Sequence, residues 1–189
     1  MNEQIKKGLN ERADIKNKMA ESLPPVIAEA AVIIHSALES GRAVFLCGNG
    51  GSAADSQHIA AELVGRFEKE RSAYRAIALT TDTSALTAIG NDYGFEHLFS
   101  RQLEGLAESG DVLIGISTSG GSVNVVRAME MARSKGMKVI ALTGMNPRTM
   151  GDMADVTIAI PSDRTALVQE GHIAVGHLLC ELVENRLTA

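Results

Sequence analysis

The chain has no tryptophan, and aromatic residues make up only 3% of it. Stacking platforms for nucleic-acid bases are therefore not expected. A basic surplus is missing too: Lys+Arg number 18 against 23 Asp+Glu, a formal net charge of −5, with no run of like charge. That pattern predicts no nucleic-acid partner. No apolar stretch approaches the ~18 residues of a membrane span, and MNEQIKKGLNERADIKNKMA at the N-terminus is too polar for a signal peptide. Cysteine is scarce, with Cys47 and Cys180 set inside the apolar runs AVFLC and HLLCELV. Two buried free thiols suit a reducing compartment. The expectation is a cytoplasmic protein with no membrane partner.

What is present points to one domain over residues 1–189, long enough to bury a sizeable core. Strand-like apolar runs recur at Ala43–Cys47, Ala76–Leu79, Val112–Ile116, Lys138–Leu142 and Val156–Ile160, with helical patterns between them. Runs apolar throughout predict strands covered on both faces, and the alternation predicts parallel βαβ units. The fold class is therefore a three-layer α/β/α sandwich around a five-stranded parallel sheet, flavodoxin-like in kind. Two helices come first, at about Glu3–Ser22 and Pro25–Ser40, broken at Leu23-Pro24-Pro25. The first is charged over much of its surface and lies outside the alternation. It is expected to pack on another subunit, the alternative being its own domain.

Val112–Ser122, VLIGISTSGGS, carries the clearest functional signal. A buried strand runs straight into Ser117, Thr118, Ser119, Gly120, Gly121 and Ser122, and a helical period follows over Val123–Lys135. Hydroxyls and open backbone N–H groups gather where the helix dipole favours an anion. With no lysine or arginine in the loop, a sugar phosphate held by hydrogen bonds is the fitting guest. The bland alternative is a serine N-cap on a flexible loop.

Two more loops follow strand ends, Gly48–Ser52 and Thr80–Thr83, where parallel sheets bind ligands. CGNGGSA also matches G-x-G-x-x-A. A dinucleotide site would want an acid at the end of the next strand, yet Asp82 lies beyond that end, behind two threonines. On the helix Ser52–Phe67, His58 and Glu62 stand at i, i+4 on one face, a spacing that suits a metal or an acid/base pair. The same spacing is common on solvated helices. Here the neighbours Ile59, Ala60, Ala61, Leu63 and Val64 favour partial burial. The final helix, about Thr165–Leu187, carries Gln169, Glu170, His172 and His177 among apolar residues, where unpaired polar groups are costly. Gln169 and His177 are two turns apart and share a side; His172 reads as a core histidine. Asn91-Asp92, after the helical Ala85–Gly90, offers a further polar contact or simple turn chemistry.

Together, CGNGGSAADSQHIAAELVGRFEKER, ALTTDTSALTAIGNDYGFEHLFSRQ, GDVLIGISTSGGSVNVV and the final QE-x-H-x4-H resemble the bacterial phosphoheptose isomerases of the sugar-isomerase (SIS) domain family, over nearly the whole chain. The resemblance implies a cytoplasmic homotetramer interconverting sedoheptulose 7-phosphate and D-glycero-D-manno-heptose 7-phosphate, at the entry to ADP-heptose and lipopolysaccharide core synthesis. By motif it assigns Asn49, Gly50, Gly51, Asn91, Asp92 and Gln169 to the sugar, and Ser117, Thr118, Ser119 and Ser122 to the phosphate. It makes His58, Glu62, Gln169 and His177 ligands of one zinc per subunit, with Glu62 and His177 also the catalytic base and acid. Ligation would lower the basicity asked of Glu62. Non-catalytic relatives that bind the bacterial replication initiator resemble this chain at Gln57-His58 and Ala88–Asp92, but tend to lack the helix-borne glutamate. Glu62 favours the enzyme. One departure is Leu167, where the family usually has T-A-R-[IV]-Q-E; Gly171 and Gly176 also look smaller than usual.

Overall fold

A computed structural model describes residues 1–187, so the last two residues of the expected domain lie outside the described part. The helices are α1 (Asn2–Ser22), α2 (Pro24–Glu39), α3 (Gly51–Val64), α4 (Thr83–Asp92), α5 (Ser100–Leu106), α6 (Val123–Ser134), α7 (Arg148–Met153) and α8 (Thr165–Leu187). The strands are β1 (Val44–Gly48), β2 (Ala76–Ala78), β3 (Val112–Ser117), β4 (Lys138–Thr143) and β5 (Val156–Ala159). All pair in parallel, in the order β2-β1-β3-β4-β5. The order reverses between β1 and β3, so a crevice opens at their carboxyl ends.

The apolar runs make this sheet because successive side chains feed opposite faces. Val44, Leu46, Val112, Ile114, Ile116, Ile140 and Leu142 join one cluster with α2, α3 and α8. Phe45, Cys47, Leu113, Val139 and Ala141 join a second with α5, α6 and Met150 of α7. Both thiols are buried and free. Burial, then the charge of Glu62, lifts Cys180 to about 12, and burial lifts Cys47 as well. Strand β2 departs from the two-face expectation: as an edge strand it leaves Ile77 exposed.

Helix α1 ends on its own domain. Met19 joins the core, Arg12 Nε donates to Glu170 Oε1 of α8 at 2.9 Å, and Arg164 pairs with Glu11. Its first half keeps Ile5 and Leu9 exposed. Leu167 is buried and borders a crevice with Ile15 and Met19, so an apolar contact with α1 stands where a charge was expected. Among the described residues, no single helix is long and apolar enough to cross a membrane.

Helices α3 and α8 run side by side in the same direction, and small residues set their separation. A Cβ on Gly176 would lie 2.6 Å from Ile59 Cδ1, and one on Gly171 would lie 2.8 Å from Ile160 Cγ2. The two glycines thus seat α8 against α3 and against the chain after β5. Helix α3 stops at Val64, short of the expected Phe67, because the chain leaves at Gly65 for a buried carboxylate. Glu184 of α8 accepts the amides of Phe67, Glu68 and Lys69 and the guanidinium of Arg71 at 2.7–3.1 Å. Desolvation would raise its pKa, but the hydrogen bonds from Glu68, Lys69, Phe67 and Arg71 prevail and hold it at about 2.

Candidate active site

Strand β1 delivers Asn49 to the crevice and β3 delivers the serine loop. Their connection is a reciprocal amide pair: Asn49 Nδ2 donates to Asn124 Oδ1 at 2.9 Å, and Asn124 Nδ2 returns the bond to Asn49 Oδ1 at 2.8 Å. The two loops are therefore fixed to each other across the switch point. Asn124, the second residue of α6, gave no sign of this in the sequence.

In the serine loop, Ser117 Oγ lies 2.8 Å from Ser122 Oγ and 3.2 Å from Ser119 Oγ. Ser122 occupies the N-cap of α6, but its side chain makes no capping bond. The bland serine-cap reading therefore fails: the hydroxyl turns to Ser117, and the first amides of α6 remain available to an anion. Thr118 and Ser119 border an adjacent cavity of about 220 Å³. Gly120 sits at φ +66°, and a Cβ there would run into the Pro147 carbonyl. That close approach brings Arg148 beside the loop, a cation the local sequence could not place there.

Gly50 and Gly51 begin α3, where Gly50 has no side chain to cap the first amides. The amide of Gln169 fills the space a Cβ on Gly51 would need. Farther along α3, His58 Nε2 stands 3.0 Å from His177 Nε2 and 3.3 Å from Glu62 Oε1. The Phe67 ring lies beside His177, with centroids 5.7 Å apart. Side-chain exposures of 47% for His58 and 27% for Glu62 leave both reachable by solute. Asp55, one turn before His58, has its Oδ2 buried without a hydrogen-bond partner. Desolvation raises its pKa and the charge of His58 opposes that rise.

Three of the four candidate ligands, His58, Glu62 and His177, thus meet around one nitrogen. The fourth, Gln169 of α8, lays its amide over Gly51 at the start of α3. The meeting residues suit zinc by their chemistry. Two imidazoles and a carboxylate are its ordinary donors, and ligands at ~2.0–2.1 Å on a tetrahedral zinc are about 3.3 Å apart. The contacts at 3.0 and 3.3 Å approach that edge length. They share one nitrogen rather than closing a triangle, and among the described residues no closed metal set of three His, Cys, Asp or Glu is formed.

Asn91 and Asp92 end α4, exposed, with Asn91 Nδ2 donating to Asp92 Oδ1 at 2.7 Å. Nothing in the single chain ties them to the histidine pair. Asp82 accepts the Ala85 amide at 2.9 Å as the cap of α4, so it is engaged in helix initiation rather than waiting for a ribose. His172 is wholly buried, with Nε2 3.0 Å from the Thr143 carbonyl and Nδ1 unpartnered. Burial pulls its pKa down to about 4, against the carbonyl contact that favours the proton.

The SIS domain family profile matches residues 9–144 of this chain. A phosphoheptose isomerase of Nitratiruptor sp. is 56% identical over 184 residues, covering 97% of this chain and 98% of the relative. Among solved structures, the phosphoheptose isomerase of Neisseria gonorrhoeae superposes with a TM-score of 0.92 at 43% identity, covering 97% of this chain and 98% of that one. That of Francisella tularensis gives 0.93 at 40% identity, with 97% of each chain covered. With likeness of this extent in both sequence and backbone, the chain belongs to the phosphoheptose isomerases of the SIS-domain family.

Proposed function

We propose that this chain interconverts sedoheptulose 7-phosphate and D-glycero-D-manno-heptose 7-phosphate through a cis-enediol, supplying the heptose for ADP-heptose and the lipopolysaccharide core. The observation that carries the proposal is the convergence of Glu62 and His177 on His58 Nε2, at 3.3 and 3.0 Å. Isomerisation needs one group to move a proton between C1 and C2 and another to serve the oxygens. The Glu62 carboxylate takes the carbon-bound proton from C1 of the ketose and returns it at C2. The His177 imidazole gives and takes the proton exchanged between the two oxygens. Protons balance, and no external oxidant or reductant is needed.

Ser117, Thr118, Ser119 and Ser122, with the first amides of α6, are assigned to the phosphate. Asn49, Gly50 and Gly51 are assigned to the sugar, where the Asn49–Asn124 pair sets the spacing between the sugar and phosphate loops. Gln169, whose amide lies over Gly51, is assigned both to the sugar and to the metal. One zinc per subunit would be held by His58, Glu62, Gln169 and His177, and when bound it supplies positive charge to stabilise a developing enediolate oxygen. Asn91 and Asp92 would reach a site only in an assembly, which accords with the proposed homotetramer. A cytoplasmic setting accords with the two buried free thiols.

The test is incubation of the purified protein with sedoheptulose 7-phosphate, followed by NMR for the aldose. Appearance of the manno-heptose phosphate supports the reading. No aldose from folded, zinc-supplied protein overturns it in favour of the non-catalytic adaptor.

A further inference from the structure

We infer that Arg148 is a phosphate-binding residue, closing the outer side of the serine loop on the anionic group of the substrate. The inference deepens the proposed isomerase reading and rests on it. A sugar phosphate carries close to two negative charges, yet Ser117–Ser122 contains no cation. Hydroxyls and amides alone would have to replace the water that such a group gives up. A guanidinium offers a planar fork of donors matched to phosphate oxygens, and bonds to it are stronger than neutral ones.

Several features place Arg148 in that role. Among the described residues it is the only non-glycine with a positive φ, at +48°. Such a backbone persists where its surroundings hold it, and it warrants a search for function. Here Gly120 packs on the Pro147 carbonyl, and the Met150 amide donates to the Gly120 carbonyl at 3.3 Å. The turn is thereby fastened to the loop. The side chain then lies along Gly121, with Cδ 3.6 Å and Nη1 4.0 Å from where a Cβ on that glycine would be. At these distances the arginine stem is in ordinary van der Waals contact with the position.

The guanidinium is also uncommitted. Among the described residues no ion pair or hydrogen bond engages it, whereas nearby Arg164 pairs with Glu11 and Arg12 with Glu170. It is the only cationic residue lining the cavity it shares with Thr118, Ser119, Asn146, Asp163 and Thr165. That space of about 220 Å³ exceeds several times the ~30 Å³ share of one water. Asp163 alone would repel an anion there, and Arg148 offsets it.

The test compares wild type with R148G and R148K, reading steady-state kinetics on sedoheptulose 7-phosphate and the melting shift induced by inorganic phosphate. Glycine accepts the left-handed backbone, so R148G should melt no lower than wild type. Its KM should rise roughly tenfold or more, with the loss in KM rather than kcat, and its phosphate-induced shift should vanish. R148K, keeping charge without the fork, should fall between. A KM and a phosphate shift in R148G within twofold of wild type would overturn the assignment. If wild type turns over no ketose phosphate, the isomerase reading fails, and the phosphate shift still decides the role of Arg148. A wild type with neither response overturns both.

Discussion

His58 and His177, 119 positions apart in sequence, present Nε2 to Nε2 at 3.0 Å across the groove between α3 and α8. Small residues allow the contact, since Gly176 beside His177 gives up its side-chain space to Ile59 beside His58. Glu62 enters from one turn along α3. Three donor side chains thereby meet at His58 Nε2.

The metal reading has a consequence that separates the candidate ligands. In H58A, zinc measured by elemental analysis of protein prepared without chelator should fall well below one equivalent per chain. In Q169A the zinc should fall less far, because an amide oxygen is a weaker zinc donor than an imidazole, while KM for the ketose phosphate rises. Zinc unchanged in Q169A would remove Gln169 from the ligand set.

The buried His172 ties stability to pH in a definite direction. Its folded pKa of about 4 lies below the ordinary 6.5, so below pH 6.5 the unfolded chain takes up the proton first. Its stabilising effect is complete above pH 6.5 and is lost as pH falls toward 4, on the order of 3 kcal/mol over the window. Urea unfolding of wild type at pH 7 and 4.5 should show this loss, and H172Q should show a smaller one. Equal losses would mean that His172 does not stay neutral in the fold. Glu184 acts in a lower window: its depressed pKa stabilises above the unfolded value near 4.5 and is lost as pH falls toward 2.

The pair of Glu184 and Arg71 holds the chain that seats Phe67 beside His177. Both side chains are almost fully buried, at 2% and 5% exposure. Arg71 also donates to the backbone carbonyl of Glu62 at 2.8 Å. Neutralising one partner leaves the other charge uncompensated, so E184Q should cost roughly 3–5 kcal/mol in urea unfolding. The folded fraction should also turn over more slowly. A cost below about 1 kcal/mol would mean that the loop carries its own order.

The parallel sheet was legible because its strands are apolar throughout, and their recurrence left little choice of topology. The serine loop was legible for a similar local reason: strand, hydroxyls, glycines and helix follow one another directly. Contacts between distant segments were harder to read. Nothing near Ser122 announces Arg148, whose approach depends on Gly120 packing against Pro147. Nothing near Asn49 announces Asn124. The end of α3 was misjudged because the residue that draws the chain away, Glu184, lies on the last helix. The Gly171 and Gly176 departures became intelligible only with Ile160 and Ile59 in place. The pairing of His58 with His177 rested on resemblance alone until the two helices were seen side by side.

The most direct test is turnover of sedoheptulose 7-phosphate by E62Q and H177A, each checked for an unchanged melting curve. Loss of the base or acid should lower kcat by ~10²–10⁴ in each variant, with E62Q still folded and still binding phosphate. If folded E62Q keeps its rate within a few-fold of wild type, Glu62 moves no proton and the account is contradicted.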